Sequence, residues 1–313
     1  MTHKTPPRKL YWMIAVLLLL FVCFLTAMVQ CLKLPPNGEA VTVISADASP
    51  HAHTPEEPTP EPSLSPVQTP SPTPFPTAEP KELLVSSIPD DPYPELYGDN
   101  PNQEFDVSEE YTIYLTFDDG PSGSTPALLD VLREECVPAT FFILEDKYPE
   151  ILRQAYKDGH TLGVHSDSHT YQYVYWNMES FLADFSRSYH NIWSATGYRP
   201  RIFRFPGGSV NSYNRHLIWD LVTEMEGRGF VYHDWNVTSE DASSAKTYEE
   251  QLEALLKYSE KKTRIIALMH DTDKNPWIAE LVREYIHIMK DRGYRFEALS
   301  SRVEPIHFTM PTP

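Results

Sequence analysis

From Glu110 onward, apolar and polar positions follow two rhythms. Short apolar runs occupy 111–116, 139–144, 161–164, 201–204, 229–233, 264–269 and 294–297. Each has the length and the β-branched or aromatic content of a strand. Between them, apolar residues recur every three or four positions, as on one face of a helix. The clearest case carries Met178, Phe181, Leu182, Phe185, Tyr189, Ile192 and Trp193 and stops before Gly197. Further helices are predicted at 124–135, 149–158, 213–226, 247–261 and 275–291, the last ending at Gly293. Seven strands alternating with helices predict a parallel sheet, either a barrel or a doubly wound sheet. No internal repeat is visible. The folded domain is expected over 105–303, with a short C-terminal tail over 304–313.

Upstream the pattern changes twice. Lys4, Arg8 and Lys9 precede Leu10 to Val29, a run of 20 residues without a charge. At about 1.5 Å per residue that run spans the hydrocarbon core of a bilayer. The preceding positive charges keep the N-terminus cytoplasmic and send the rest of the chain across. Met28, Val29, Gln30 and Cys31 make a poor cleavage site, and Gln30 spoils a lipobox. Residues 1–34 are therefore expected to be an uncleaved signal anchor, giving a single-pass membrane protein with its catalytic domain outside the cytoplasm. Residues 35–104 read as a linker. Between Pro35 and Pro94 lie 16 of the chain's 29 prolines. So little apolar surface cannot offset ordering entropy, so an extended, disordered spacer is expected.

Charge and cysteine usage narrow the chemistry. The formal net charge of -18 argues against nucleic acid or an anionic membrane surface as a ligand. Of the three cysteines, Cys23 and Cys31 lie in or beside the apolar run. Cys136 alone falls in the folded part, which excludes a disulfide within that domain and a cysteine-rich metal site.

The candidate chemistry sits at strand ends. The first strand runs into Thr116-Phe117-Asp118-Asp119-Gly120-Pro121, and the third into His165-Ser166-Asp167-Ser168-His169. The fourth ends in Arg204-Phe205-Pro206-Gly207-Gly208. The fifth leads to Asp234-Trp235-Asn236 and on to Asp241, and the sixth ends in Leu268-Met269-His270-Asp271. In a barrel these C-terminal ends share one face. His165 and His169 are four apart, so on a helical turn both imidazoles would face one side. Two imidazoles and a carboxylate make a three-ligand zinc site with a position open for water or substrate. The His-Glu-x-x-His zincin pattern is excluded by Ser166. Strand alternation would point Asp118 and Asp119 to different sides, leaving one as ligand and the other as base. Arg204 is the candidate partner of the free carboxylate, and His270 the candidate general acid. Trp235 offers a flat face for a sugar, although core packing explains it nearly as well. Each feature alone has a bland reading: a turn, a surface histidine pair, a surface ion pair, a core histidine.

Together these five stretches resemble the motifs of the NodB-type polysaccharide deacetylases, carbohydrate esterase family 4, over roughly residues 110–300. The resemblance implies a distorted (β/α) barrel of about seven parallel strands and a divalent metal, usually zinc. It implies hydrolysis of N-acetyl groups on amino sugars of a cell-envelope polysaccharide such as peptidoglycan. An O-acetyl esterase acting on xylan-like glycans and an inactive carbohydrate-binding relative are the alternatives. By resemblance Asp118 is the base, Asp119, His165 and His169 hold the metal, and Arg204 steadies Asp118. Gly207 offers a backbone N–H to the oxyanion, Leu268 lines the acetyl pocket, and His270 is the acid. The chain departs from the pattern in three places. Gly207-Gly208 follow Pro206, where an aromatic residue is usual. Thr238 stands where many members carry an acid. Asp241-Ala242 replaces Asp-Trp, which leaves Asp241 as the leading candidate to tune His270.

Overall fold

The structure, a computed structural model, describes residues 91–98, 104–106, 111–144, 147–245 and 247–312. Eight strands are present among them: β1 (Thr112–Asp118), β2 (Thr140–Ile143), β3 (Thr161–Val164), β4 (Ile202–Phe203), β5 (Val231–Tyr232), β6 (Val237–Thr238), β7 (Arg264–His270) and β8 (Arg295–Glu297). They join in the order β5-β4-β3-β2-β1-β7-β6, with β8 beside the first half of β1. Every ladder between these strands is parallel. Among the described residues no ladder joins β5 to β6. The sheet is thus a half-barrel, open at that seam, rather than a doubly wound sheet.

Among the described residues seven α-helices connect the strands: α1 (Thr125–Glu134), α2 (Pro149–Lys157), α3 (Tyr171–Val174), α4 (Met178–Thr196), α5 (Ile218–Gly227), α6 (Tyr248–Ser259) and α7 (Ile278–Asp291). The α4 boundaries follow from local chemistry. Asn177 and Ser180 form a reciprocal capping box at its start, and Gly197, at φ +76°, closes it in the left-handed conformation. Two elements escape the periodicity. β6 has two residues and α3 four, too short to establish a repeat. The helix predicted from 213 begins only at Ile218. The side chains of Asn211 and Asn214 first hold the backbone in turns, Asn211 accepting from the Tyr213 N–H at 2.8 Å.

The core has two sides. Ile113, Leu115 and Phe117 of β1 pack outward against the helices with Leu128, Phe185 and Leu281. Tyr114 of β1 packs inward with Phe142, Ile202, Ile266 and Leu299. This is the period of two expected of a strand buried on both faces.

Residues 91–98, placed by sequence within the linker, pack on the domain. Leu96 is fully buried, and Asp91 pairs with Arg228 at 2.7 Å. The charge-free run at 10–29 and the proline-rich stretch lie outside the described residues. Among the described residues no helix is long and apolar enough to cross a membrane.

Candidate active site

Strand parity decides which side chains enter the barrel. Inward-facing Tyr114 puts Thr116 and Asp118 on the same face of β1. Inward-facing Ile266 does the same for Leu268 and His270 of β7, and Ile202 does so for Arg204 just past β4. Gly163 takes the inward position of β3. A Cβ there would come within 2.6 Å of the Phe142 ring, and His165 follows two residues later. Asp118 and His270 are register partners across the β1–β7 ladder.

Asp118 is nearly buried and bound to Arg204, whose Nη1 donates to Oδ1 at 2.9 Å. Arg204 is fully buried. It donates also to Thr116 Oγ1, to His233 O and to Asp234 O, at 2.8, 2.8 and 3.1 Å. Its guanidinium carbon lies 4.4 Å from the Phe142 ring centroid. A buried guanidinium is tolerable only when its donors are paired in this way. The arrangement pins Asp118 through Oδ1 and leaves Oδ2 on the cleft side, 3.9 Å from His165 Nε2.

The expectation that alternation separates Asp118 from Asp119 does not hold. β1 ends at Asp118, and Asp119 is turned into the left-handed region at φ +70°. Both carboxylates therefore reach the same atom, with Asp119 Oδ1 3.6 Å from His165 Nε2. The two histidines do not share a helical turn either. They flank a loop that the α4 carboxylate of Asp184 organises. Asp184 accepts from Ser166 Oγ and from the backbone N–H groups of Asp167 and Ser168, at 2.5 to 2.9 Å. Ser166 Oγ in turn accepts from the His169 N–H. His169 sits at φ +48°, a conformation that costs a non-glycine residue of order 1 kcal/mol or more.

The donor set fits a metal ion. Ligand atoms of Asp119, His165 and His169 all lie within 4.8 Å of one another. His169 Nε2 is 3.5 Å from Asp119 Oδ1. Donors about 2.1 Å from a tetrahedral ion stand about 3.4 Å apart, close to the spacings seen. His165 Nδ1 meets Arg204 O at 2.8 Å, which places the proton on Nδ1 and the Nε2 lone pair toward Asp119. Burial, with His165 next to it, pushes the His169 imidazole below its usual range, toward the neutral form that metals bind. Asp119 Oδ1 is buried and accepts no hydrogen bond in the structure, an expensive condition for a carboxylate without a cation.

His270 stands on the opposite wall. Its Nδ1 lies 2.8 Å from Asp241 Oδ1, and its backbone N–H donates to Asp241 Oδ2 at 2.7 Å. Burial lowers the imidazole, but the bond to Asp241 and the charges of Asp241, Asp118 and Asp119 outweigh it. The net effect raises His270 to about 9. Burial raises Asp241, and its bonds to His270 more than offset that, so it falls below the usual carboxylate range. The pair is an imidazolium held by a carboxylate.

These groups line one cleft of about 760 Å³ that also includes Gly207, Trp235 and Leu268. All ten residues singled out from the sequence surround it or, in the case of Arg204, hold a residue that does. Gly207 adopts φ +74°, and a Cβ there would stand 3.0 Å from Tyr171 Oη. Sequence reasoning missed Tyr171, whose ring meets His169 edge-on at 5.1 Å, and Asn275, whose Nδ2 reaches Asp241 Oδ2 at 3.3 Å. It also missed Asp184 and Asp271. Buried Asp271 ties the Asp-Asp-Gly-Pro turn to β7 through Ser122 Oγ at 2.8 Å and Thr125 Oγ1 at 2.5 Å. A buried acid inside an apolar helical stripe, as at Asp184, was the available signal.

Comparison with known proteins supports the reading of the motifs. The polysaccharide deacetylase family model matches residues 106–225. The Bacillus subtilis protein YheN, assigned as a polysaccharide deacetylase, is 34% identical over 204 residues, 63% of this chain and 70% of that protein. A peptidoglycan-N-acetylglucosamine deacetylase of Bacillus cereus is 29% identical over 73% of this chain and 84% of its own length. Among solved structures, the catalytic domain of a peptidoglycan N-acetylglucosamine deacetylase from Eubacterium rectale superposes with a TM-score of 0.64. It shows 31% identity and covers 67% of this chain and 98% of that one.

Proposed function

The chain belongs to the polysaccharide deacetylase family, and from that premise we propose that it removes N-acetyl groups from N-acetylglucosamine units of a cell-envelope polysaccharide, peptidoglycan first. One observation carries this reading. A clamped carboxylate, Asp118, and a hydrogen-bonded imidazole, His270, are register neighbours on adjacent strands and flank a three-donor site. That is a base, an acid and a seat for a Lewis acid around one point. The relatives in Bacillus cereus and Eubacterium rectale are peptidoglycan N-acetylglucosamine deacetylases, which favours the same sugar polymer.

Asp119, His165 and His169 would hold a divalent ion, zinc by the two-nitrogen, one-oxygen donor set. Such an ion supplies Lewis-acid polarisation of an acetyl carbonyl and a lowered pKa for a water. The protein residues do the rest. Asp118, bound and aimed by Arg204, takes the proton of the attacking water. The Gly207 N–H donates to the carbonyl oxygen as negative charge develops there. Leu268 faces the acetyl methyl, and Trp235 presents its ring to the sugar. His270 gives its proton to the departing amine. An amine anion cannot leave unaided, so a protonated His270 suits amide cleavage better than ester cleavage. Asp241 keeps that proton on His270 at neutral pH.

The cellular setting belongs to the same proposal. The uncharged run at 10–29 anchors the chain in the cell membrane, and the proline-rich linker holds the domain on the extracytoplasmic side, within reach of the wall. The deciding experiment is acetate release by the purified full chain against peptidoglycan, N-acetylglucosamine oligomers and acetylxylan, with and without a chelator. Release from the amino-sugar substrates that stops on chelation is expected. Release from acetylxylan alone would select the esterase reading, and none from any substrate would select the binding relative. Membrane fractionation tests the anchor: a mature N-terminus near Ser49 in the medium would refute it.

A further inference from the structure

The seam between β5 and β6 is not left bare. Residues 306–311 run along its β5 side, joined to the end of β5, the residues after it and α5 by several independent contacts. The Asp234 N–H donates to Ile306 O at 3.0 Å, and the Phe308 N–H donates to Asp234 Oδ2 at 2.8 Å. His307 stacks on Tyr232 with ring centroids 3.8 Å apart and planes 7° from parallel. Further along, Trp219 Nε1 donates to Pro311 O at 3.0 Å.

Phe308 is the residue of this segment that meets Trp235, which lines the cleft. Its ring packs edge-on against Trp235 at 4.8 Å. It also fills the space beside Gly208, where an added Cβ would come within 2.6 Å of Phe308 and 3.1 Å of Trp235. The backbone after Pro206 thus carries no side chain where Trp235 and Phe308 meet, and a ring from the distant end of the domain takes up that volume. Trp235 itself lines the cleft and lies over the Arg204 guanidinium at 5.5 Å.

We propose that residues 306–311 form a strap that seats Trp235, with Phe308 as a positioning residue for the sugar-facing wall of the cleft. The ligand is an oligomer of N-acetylated glucosamine, so the proposal rests on the function given above. The physical basis is simple. Trp235 follows a two-residue strand, β5, and no ladder links that strand to β6. Without the strap its indole would keep the inner cluster of Tyr114, Phe142 and Ile266 and the Arg204 guanidinium, but would lose the ring that meets it edge-on. Phe308 limits its rotamers and so lowers the ordering cost of stacking a sugar on it.

The test uses the full chain with Phe308→Ala, Phe308→Leu and Phe308→Tyr. Four quantities are measured: melting temperature, calorimetric affinity of chelator-treated protein for N-acetylglucosamine tetramer, and KM and kcat for acetate release. Phe308→Ala is expected to weaken tetramer binding and raise KM by about fivefold to tenfold, the worth of an aromatic pair. The value of kcat and its pH profile should stay within twofold. Phe308→Leu should fall between, and Phe308→Tyr should restore wild-type affinity, since it keeps the ring. Tetramer affinity within twofold of wild type in both the Ala and Leu variants would overturn the strap, as would a fall in kcat with KM unchanged. If Phe308→Ala does not fold, Leu and Tyr decide by the same limits. Because the affinity arm needs no turnover, a wild type that binds tetramer but releases no acetate would count against the deacetylase reading, and the affinity comparison would still decide the strap.

Discussion

The two sides of the cleft are built by different means. On one side β1 and β7 pair over seven register positions, from Thr112 with Arg264 to Asp118 with His270. There the ladder sets direction: alternation alone turns Asp118, Leu268 and His270 inward. On the other side β4 and β5 have two residues each, and β3 and β4 share a single register position. Here buried carboxylates replace the ladder. Asp184 holds the loop of His165 and His169. Asp234 accepts from the Ser209 N–H and Oγ and from the Phe308 N–H. A long ladder sets the direction of the catalytic side chains by itself and leaves one extra buried acid, Asp271, to tie the turn after β1. A short one needs extra acids, each demanding a full set of donors.

The sharpest way to break this comparison is at the junction of the two modes, the neighbouring aspartates. Asp118→Asn should keep stoichiometric metal and lower kcat by roughly 10²–10⁴, the share of a positioned base. Asp119→Asn should weaken metal binding instead, because a neutral amide is a poor zinc ligand. The assignment fails if the two variants exchange these phenotypes in a metal titration.

Next in size is Asp184→Ala. Loss of the carboxylate releases Ser166, Asp167 and Ser168, so metal affinity should fall by about 10–100-fold, as for other outer partners of metal ligands. Wild-type metal affinity in this variant would leave the loop positioned by something other than Asp184.

The third test falls on the β7 side and on pH. His270 is raised to about 9 by Asp241 against the effect of burial. The acid form is therefore present through neutral pH and is lost as pH rises through that value, giving kcat/KM a basic limb. Asp241→Asn removes the charge that raises His270, so the basic limb should move to lower pH. A pH–rate profile with an unmoved basic limb would detach Asp241 from this role.

The smallest effect is expected at Ser209→Ala. It removes one bond to Asp234, 2.5 Å long, and should cost about 1 kcal/mol in denaturant unfolding. A cost near zero would mean that Asp234 needs fewer donors than the comparison supposes.

The sequence determined much of this by itself. Seven of the eight described strands, six of the seven described helices and the clustering of acids and histidines at strand ends were all legible. Their cause is local: period two or 3.6 in apolar residues, and turn chemistry that halts a strand next to the polar group it delivers. The donors Asp119, His165 and His169 were legible as residue types. Only the tertiary structure decided how they meet. The left-handed turns at Asp119 and His169 lie in loops bonded to Asp271 and Asp184, and no periodicity encodes those bonds. The two-residue strand β6 and the placing of Phe308 against Trp235 are likewise contacts between segments. They depend on where the half-barrel stops, and that is set by packing of the whole sheet rather than by any one stretch of chain.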